Sequence, residues 1–271
     1  MPELPEITVL ATQMTAELKG RTIGAVDVVQ PKCLNVPAEE FARGMTGQML
    51  GETRQRGKWL LTSLSGGGSL AINLGMGGDL YYHAPGVETT HPYQVRVAFG
   101  DGAALTARFW WFGHVHLVPP PGQGTHEPTA VLGPSPLGLS AEEFERLAAG
   151  SRASGVKSFL LDQRKLAGVG NVYGQDPLWL ARIHPLRKLG SLSTEELRAL
   201  YAALRTVLET SIAKRGLQYE RDLYGAAGGY GRDDYAVAYR EGEACPRCGA
   251  AIEKIKTGGT SSFVCPACQV R

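Results

Sequence analysis

Four of the five cysteines fall in two pairs, Cys245-x-x-Cys248 and Cys265-x-x-Cys268, with sixteen residues between the pairs. Four thiolates at this spacing close a tetrahedral Zn²⁺ site. All four positions are filled by the chain, so no position remains for an activated water, and the metal is expected to be structural. The rival reading is two disulfides, which a reducing compartment disfavours. Either way the end of the chain is held as a stapled hairpin, bearing Lys254 and Lys256. The fifth cysteine, Cys33, stands alone.

No stretch of 18 apolar residues occurs, and the first residues have neither a basic nor an apolar leader region, so a cytoplasmic protein (nucleoid-associated if bacterial), without a membrane partner, is expected. The net charge of +2 hides an asymmetry. Residues 1–150 hold 10 Lys and Arg against 14 Asp and Glu, whereas residues 151–271 hold 18 against 12. The second part is the better candidate for meeting a polyanion, although such a charge also serves solubility.

Ile7, Leu10, Met14 and Leu18 fall three or four apart and predict a helix over 5–19, with Pro5 and Glu6 suited to its first turn and Gly20 ending it. From about 22 to 118, short runs of period two separated by Gly, Pro and Asp predict an antiparallel sandwich or barrel. A Pro/Gly-rich linker starts at Pro119. Beyond it, Ser140 with Glu143, and Ser193 with Glu196, form Ser-x-x-Glu capping signatures of two helices. The second leads an apolar stripe through Leu197, Leu200, Leu204, Val207, Leu208 and Ile212. Between them LAGVGN separates two helical stretches, with Asn171 at the start of the second. Such a turn can seat a phosphate, although most helix–turn–helix pairs are purely structural. Residues 216–244 are Gly/Tyr-rich and aperiodic, and are read as a long loop.

The chain begins Met-Pro-Glu-Leu-Pro-Glu. Removal of Met1 is expected before a residue as small as proline, and would expose a secondary amine at Pro2. An α-amino group titrates near about 7.7–8.0, so a useful fraction is neutral at pH 7. A secondary amine that attacks an aldehyde-level carbon gives an iminium directly, an electron sink like a lysine Schiff base. Glu3 beside it could move the proton this attack requires. On these residues alone, a plain helix lead-in is the better explanation of the opening.

The combination changes the reading. MPELPE, RGKWLL around Lys58, NLGMGG around Met76, LLDQRKLAGVGNVYGQDPLWLARIHP and a terminal CPxC…CPxCQ occur in this order. Together they resemble the formamidopyrimidine-DNA glycosylase and endonuclease VIII family over nearly the whole chain. The resemblance implies an α+β multidomain fold: an N-terminal helix on an antiparallel β-sandwich, then a helix–two-turn–helix domain with a C-terminal zinc finger. The expected divisions are residues 1–118, a linker 119–137, 138–240 including a lesion-capping loop, and 241–271. It implies a bifunctional glycosylase and AP lyase, a monomer that acts on double-stranded DNA containing a damaged base or AP site and holds one structural Zn²⁺ on Cys245, Cys248, Cys265 and Cys268.

By the same resemblance Pro2 is the nucleophile on C1′ of the sugar, Glu3 handles protons and Glu6 supports them. Lys58 and Lys157 contact the DNA backbone, Met76 is the wedge that fills the gap left by an extruded nucleotide, and Asn171 holds phosphate. The chain also departs from the pattern. Trp110-Trp111-Phe112-Gly113 stands where Arg-Arg-Phe-Gly is usual, with Trp111 in the place of an arginine that reads the opposite base and Phe112 kept. Thr260 stands where a phosphate-clamping arginine is usual, leaving Lys254 or Lys256 to compensate as point charges. The capping region reads QYERDLYGAAGGYG. These departures imply retained strand cutting with an altered lesion range. The competing readings are a damaged-DNA or junction-binding protein that has lost excision, and a lyase acting mainly on AP sites or bulky adducts.

Overall fold

The computed structural model describes residues 1–271. They form two compact units, each built from two separated stretches of chain: Met1–Val131 with Lys214–Gly229, and Leu132–Ala213 with Tyr230–Arg271. Thus 214–229, expected within the 138–240 helical domain, packs with the N-terminal stretch. No helix is long and apolar enough to cross a membrane.

The first unit opens with α1 (Leu4–Leu18). Its stripe of Ile7, Leu10, Met14 and Leu18 is fully buried. Thr8, Val9, Thr12 and Thr15 are indifferent helix formers, each costing up to about 0.7 kcal/mol relative to alanine. Burial of one large apolar side chain is worth about 1.5–3 kcal/mol, so packing rather than propensity fixes this helix. α1 lies against β2 (Leu50–Arg56) and β3 (Trp59–Leu64). These strands continue into β4 (Ser69–Asn73) and β8 (His114–Val118), giving an antiparallel sheet of order β2-β3-β4-β8. The second sheet is β1-β6-β7-β5, from β1 (Ile23–Val28), β5 (Asp79–His83), β6 (Val95–Phe99) and β7 (Ala104–Arg108). Inward residues of both sheets, among them Ile23, Leu60, Leu70, Ile72, Leu80, Val97, Leu105 and Val115, join α1 in one core, so the sandwich expected from period two is present. Two short helices were not expected. α2 (Ala38–Met45) buries Phe41 and Met45, four residues apart, in that core, and α3 (Glu127–Ala130) lies beyond β8.

The second unit holds α4 (Ala141–Ala149), α5 (Val156–Leu161), α6 (Asp176–Leu180) and α7 (Thr194–Ala213), then the hairpin of β9 (Glu253–Thr257) and β10 (Thr260–Val264). Both expected capping boxes are made. Ser140 Oγ accepts the Glu143 N–H at 3.2 Å while Glu143 accepts the Ser140 N–H at 2.8 Å, and Ser193 and Glu196 repeat these contacts. On α7, Leu200, Leu204, Val207 and Leu208 are buried. The helices flanking LAGVGN are shorter than the sequence suggests. Residues 162–175 run as turns, and Asn171 lies five positions before α6 begins.

Candidate active site and nucleic-acid interface

In the first unit the functional residues gather at the start of α1. Pro2, Glu3 and Glu6 are all buried. Glu3 and Glu6 form a capping box, in which Glu6 Oε2 accepts the Glu3 N–H at 2.8 Å. Glu6 Oε1 accepts the Leu217 N–H at 3.0 Å, tying the helix start to the 214–229 loop. Lys58 sits in the two-residue turn between β2 and β3. Gly57 has φ +61°, which the first central position of such a turn needs and which a side chain disfavours. Asn73 donates to the Lys58 carbonyl at 2.9 Å, and Lys58 Nζ lies 3.9 Å from Met1 Sδ. The structure thus brings Pro2, Glu3, Glu6 and Lys58 to one place.

The loop adds a carboxylate that the sequence reading did not single out. Glu220 is buried, and its Oε1 lies 3.5 Å from the α-amino nitrogen of Met1. Burial pushes its carboxyl above the usual range, the terminal amine pulls it back, and Asp79 and Glu3 add to the rise. Asp79 is likewise raised by burial, against the pull of Arg108 and a hydrogen bond from Tyr81. No local pattern marks Glu220, since its partner is at the other end of the unit's chain.

Met76, Trp111 and Phe112 form a second group. Met76 N–H donates to the Trp111 carbonyl at 2.9 Å, joining the turn after β4 to the turn before β8. The approach is close. A side chain on Gly75 (φ +57°) would put Cβ 2.1 Å from the Trp111 oxygen, so only glycine fits there. Phe112 itself is held at φ +57°. The result is an apolar projection in which Met76 is 47% exposed, Trp110 63%, Trp111 64% and Phe112 74%. Trp110 was not a candidate from the sequence. The Arg108 guanidinium lies 5.1 Å from its ring centroid and holds it in place.

In the second unit, Gln163 braces the LAGVGN turn by accepting the Gly168 N–H and donating to the Leu161 and Val169 carbonyls. Asn171 Nδ2 donates to the Tyr239 hydroxyl at 3.2 Å, and its Oδ1 accepts from Gln175. Gln175 also donates to the Ser261 carbonyl and accepts the Phe263 N–H, so Asn171 and the β9–β10 hairpin are linked through one side chain. Lys157 is buried rather than surface-facing. Its Nζ donates to Thr257 Oγ1, Ser261 O and Ser262 Oγ at 3.1, 2.6 and 2.8 Å, which occupies its three donors within the unit. Burial pushes its ammonium down to about 8. Lys254 and Lys256 alternate on β9 and are exposed, as is Thr260 at the hairpin tip.

Below that hairpin the four cysteine Sγ atoms lie within 4.8 Å of one another, with Cys245–Cys268 at 3.9 Å and Cys248–Cys265 at 3.4 Å. A tetrahedron with Zn–S bonds of about 2.3 Å has edges near 3.8 Å, so the set fits one structural Zn²⁺. The surroundings orient the thiolates. Trp179 Nε1 donates to Cys245 Sγ at 3.4 Å, and Gln269 accepts the Cys265 N–H while donating to the Ile183 carbonyl. Asp176 accepts the N–H groups of Ala236, Val237 and Ala238, fixing the chain that leads into the site.

Comparison with known proteins matches three successive family models: the formamidopyrimidine-DNA glycosylase N-terminal domain at residues 1–109, the H2TH domain of the same enzymes at 132–221, and the zinc finger found in FPG and IleRS at 242–270. The formamidopyrimidine-DNA glycosylase of Chloroflexus aggregans is 39% identical over 280 residues, spanning 100% of this chain and 99% of the relative. That of Pelotomaculum thermopropionicum is 38% identical over 277 residues, 99% of each. Among solved structures, the MutM (Fpg) protein of Thermus thermophilus superposes with a TM-score of 0.85 at 32% identity, covering 99% of this chain and 98% of that one. Lactococcus lactis Fpg bound to DNA containing N7-benzyl-Fapy-dG superposes with a TM-score of 0.88 at 26% identity over 100% of both chains. With all three domain types in order and full-length relatives, this chain belongs to the formamidopyrimidine-DNA glycosylase and endonuclease VIII family of DNA glycosylases with AP lyase activity.

Proposed function

We propose that the protein removes damaged bases from double-stranded DNA, and opens AP sites, through a Schiff base on Pro2. The observation that carries this reading is the convergence of the buried Pro2 with Glu3, Glu6, Lys58 and Glu220 at the start of α1. Once Met1 is removed, the Pro2 nitrogen attacks C1′ of the deoxyribose. The N–C1′ bond forms as the base departs with the electrons of the glycosidic bond. The nitrogen then loses its remaining proton and O4′ takes one up, so ring opening leaves a cationic iminium, which draws electrons from the C2′–H bond. Loss of that proton expels the 3′ phosphate, and a second elimination expels the 5′ phosphate.

The other residues bind and position. Lys58 meets the phosphate beside the lesion, Met76 fills the gap in the stack, and Trp111 and Phe112 support the opposite strand. Asn171, Lys254 and Lys256 hold backbone, with Lys157 acting through the hairpin it braces. Tryptophan offers one donor and no charge where arginine would grip a base with two. A bidentate base contact is worth about 1–3 kcal/mol, so its loss removes roughly 5- to 150-fold of discrimination among the opposite bases. Stacking then takes a larger share of recognition, and the lesion range shifts from oxidised purines alone.

Borohydride trapping tests the scheme on duplexes carrying an AP site, 8-oxoguanine or an oxidised pyrimidine. The protein is expected to form a covalent complex, most readily with the AP site. Pro2→Ala should keep affinity for the duplex and lose most of the trapped product. A primary amine must retain an extra proton to stay an electron sink, whereas proline's iminium is cationic by constitution. A native protein that binds tightly but neither traps nor nicks would be a binder without excision.

A further inference from the structure

We propose that Glu220 accepts the proton from the amino-terminal nitrogen, so that the terminus attacks as a neutral amine. The inference rests on the Pro2 reading above and assigns one step within it.

Three carboxylates stand around the terminus, and the structure gives them different work. Glu6 is committed to backbone: one oxygen takes the Glu3 N–H and the other the Leu217 N–H. Glu3 is the N-cap of α1 and shares its capping box. Glu220 Oε1 lies 3.5 Å from the amine. The Met1 ammonium stands here for the Pro2 ammonium that follows its removal. That charge moves back along the backbone by one residue, a Cα–Cα step of about 3.8 Å.

The loop is built to present this residue. Glu6 fixes Leu217, and the Glu220 N–H donates back to the Leu217 carbonyl at 3.0 Å, closing a tight turn. Gly229 N–H donates to the Lys214 carbonyl at 2.7 Å and closes the loop's base. Asp222 accepts the Tyr224 and Ala226 N–H groups, and its other oxygen receives Gln13 of α1 and Arg215. A floppy surface glutamate would need none of this.

The groups that face Glu220 are the terminal amine, Glu3 of α1 and Asp79 of β5. Arg108, Arg221, Tyr81 and His91 surround Asp79 in turn, and Lys58 lies beside Met1. Two carboxylates and poor solvation press Glu220 toward its protonated form, which narrows the gap between a carboxylic acid and an amine that ordinarily titrates near about 8. In the transfer, the N–H bond of the secondary ammonium breaks, its electron pair stays on nitrogen, and the proton joins a Glu220 oxygen. The freed pair forms the N–C1′ bond. The second N–H proton then leaves to solvent, and the neutral acid is placed to give its own proton to O4′ as the sugar ring opens.

The test is single-turnover borohydride trapping on an AP-site duplex against pH, with native protein, Glu220→Gln and Glu220→Asp. Affinity for a tetrahydrofuran-site duplex is measured alongside to show that each variant is folded and binds. If Glu220 takes the proton, Glu220→Gln traps roughly 100-fold or more slowly at pH 7, within the usual reach of general-base removal. The acid limb of its profile moves up to the titration of the amine itself, Glu220→Asp recovers part of the rate, and affinity stays within about twofold. If Glu220 only held the ammonium electrostatically, its removal would favour the neutral amine, and trapping at pH 7 would be unchanged or faster. That result, with native protein trapping normally, overturns this inference and leaves the Pro2 mechanism standing. Native protein that does not trap at all overturns both.

Discussion

His116 lies between two other imidazoles. Its Nδ1 is 2.9 Å from His126 Nε2, its ring is 5.1 Å from that of His114, and Trp59 closes the cluster at 5.3 Å. Burial pushes its imidazolium down to about 4, and the neighbouring histidines add to the fall. The unfolded chain would titrate this ring near 6.5. Between these values the unfolded state takes up a proton that the folded state refuses. The resulting stability is whole above pH 6.5 and drains away as pH falls toward 4. It is worth on the order of 1 kcal/mol once water at the ring edge is allowed for. Urea unfolding of His116→Gln should therefore show a shallower loss of stability over that window than native protein, and an identical slope would refute the assignment. None of this was readable in the sequence, where His114 and His116 mark only alternate positions of a strand. Glu220 was equally hidden, because its partner is 219 positions away. Pro2, Glu3 and Lys58 were legible only through their fixed local settings.

Among the elements, the 214–229 loop depends most on a single backbone requirement. Gly216 sits at φ +83°, and a Cβ there would lie 2.9 Å from Glu6 Oε1 and 3.0 Å from Glu6 Cγ. Gly216→Ala therefore combines left-handed strain with displacement of the side chain that anchors Leu217. It is expected to destabilise the loop by about 1–3 kcal/mol. Hydrogen exchange should report this as faster exchange at the Leu217 and Glu220 amides with that of α7 unchanged, whereas unchanged loop exchange would contradict the anchoring. The loop was unreadable from sequence because its partners Glu6 and Gln13 belong to α1. By contrast, α4 and α7 were readable to their first residues, since a capping box is complete within four positions. α2 was missed inside a region dominated by period two. Its signal is two apolar residues, Phe41 and Met45, too few to stand out before the core is known.

For the molecule as a whole, the metal site shows the same division. Its four ligands were legible from spacing and Gln269 stands beside Cys268 in the same motif, while Trp179 and Ile183, the anchor of Gln269, come from a distant segment. Structural Zn²⁺ binding is worth about 10–16 kcal/mol in small fingers, more than a two-stranded hairpin can supply by packing. Chelation should thus unfold residues 245–271, release Lys157 from Ser261 and Ser262, and abolish the near-ultraviolet dichroism of the Tyr239–Phe263 pair. The α1 sandwich should keep its own dichroism. A hairpin signal unaffected by full metal removal would show that packing suffices.

The central claim is that a freed Pro2 nitrogen bonds to the sugar. Peptide mapping of the borohydride-trapped AP-site complex by mass spectrometry tests it directly. The account predicts the deoxyribose remnant on the tryptic peptide running from Pro2 to Lys19, attached at its amino end and without Met1. A remnant on Lys58 or any other lysine, or trapped protein that still bears Met1, would contradict it.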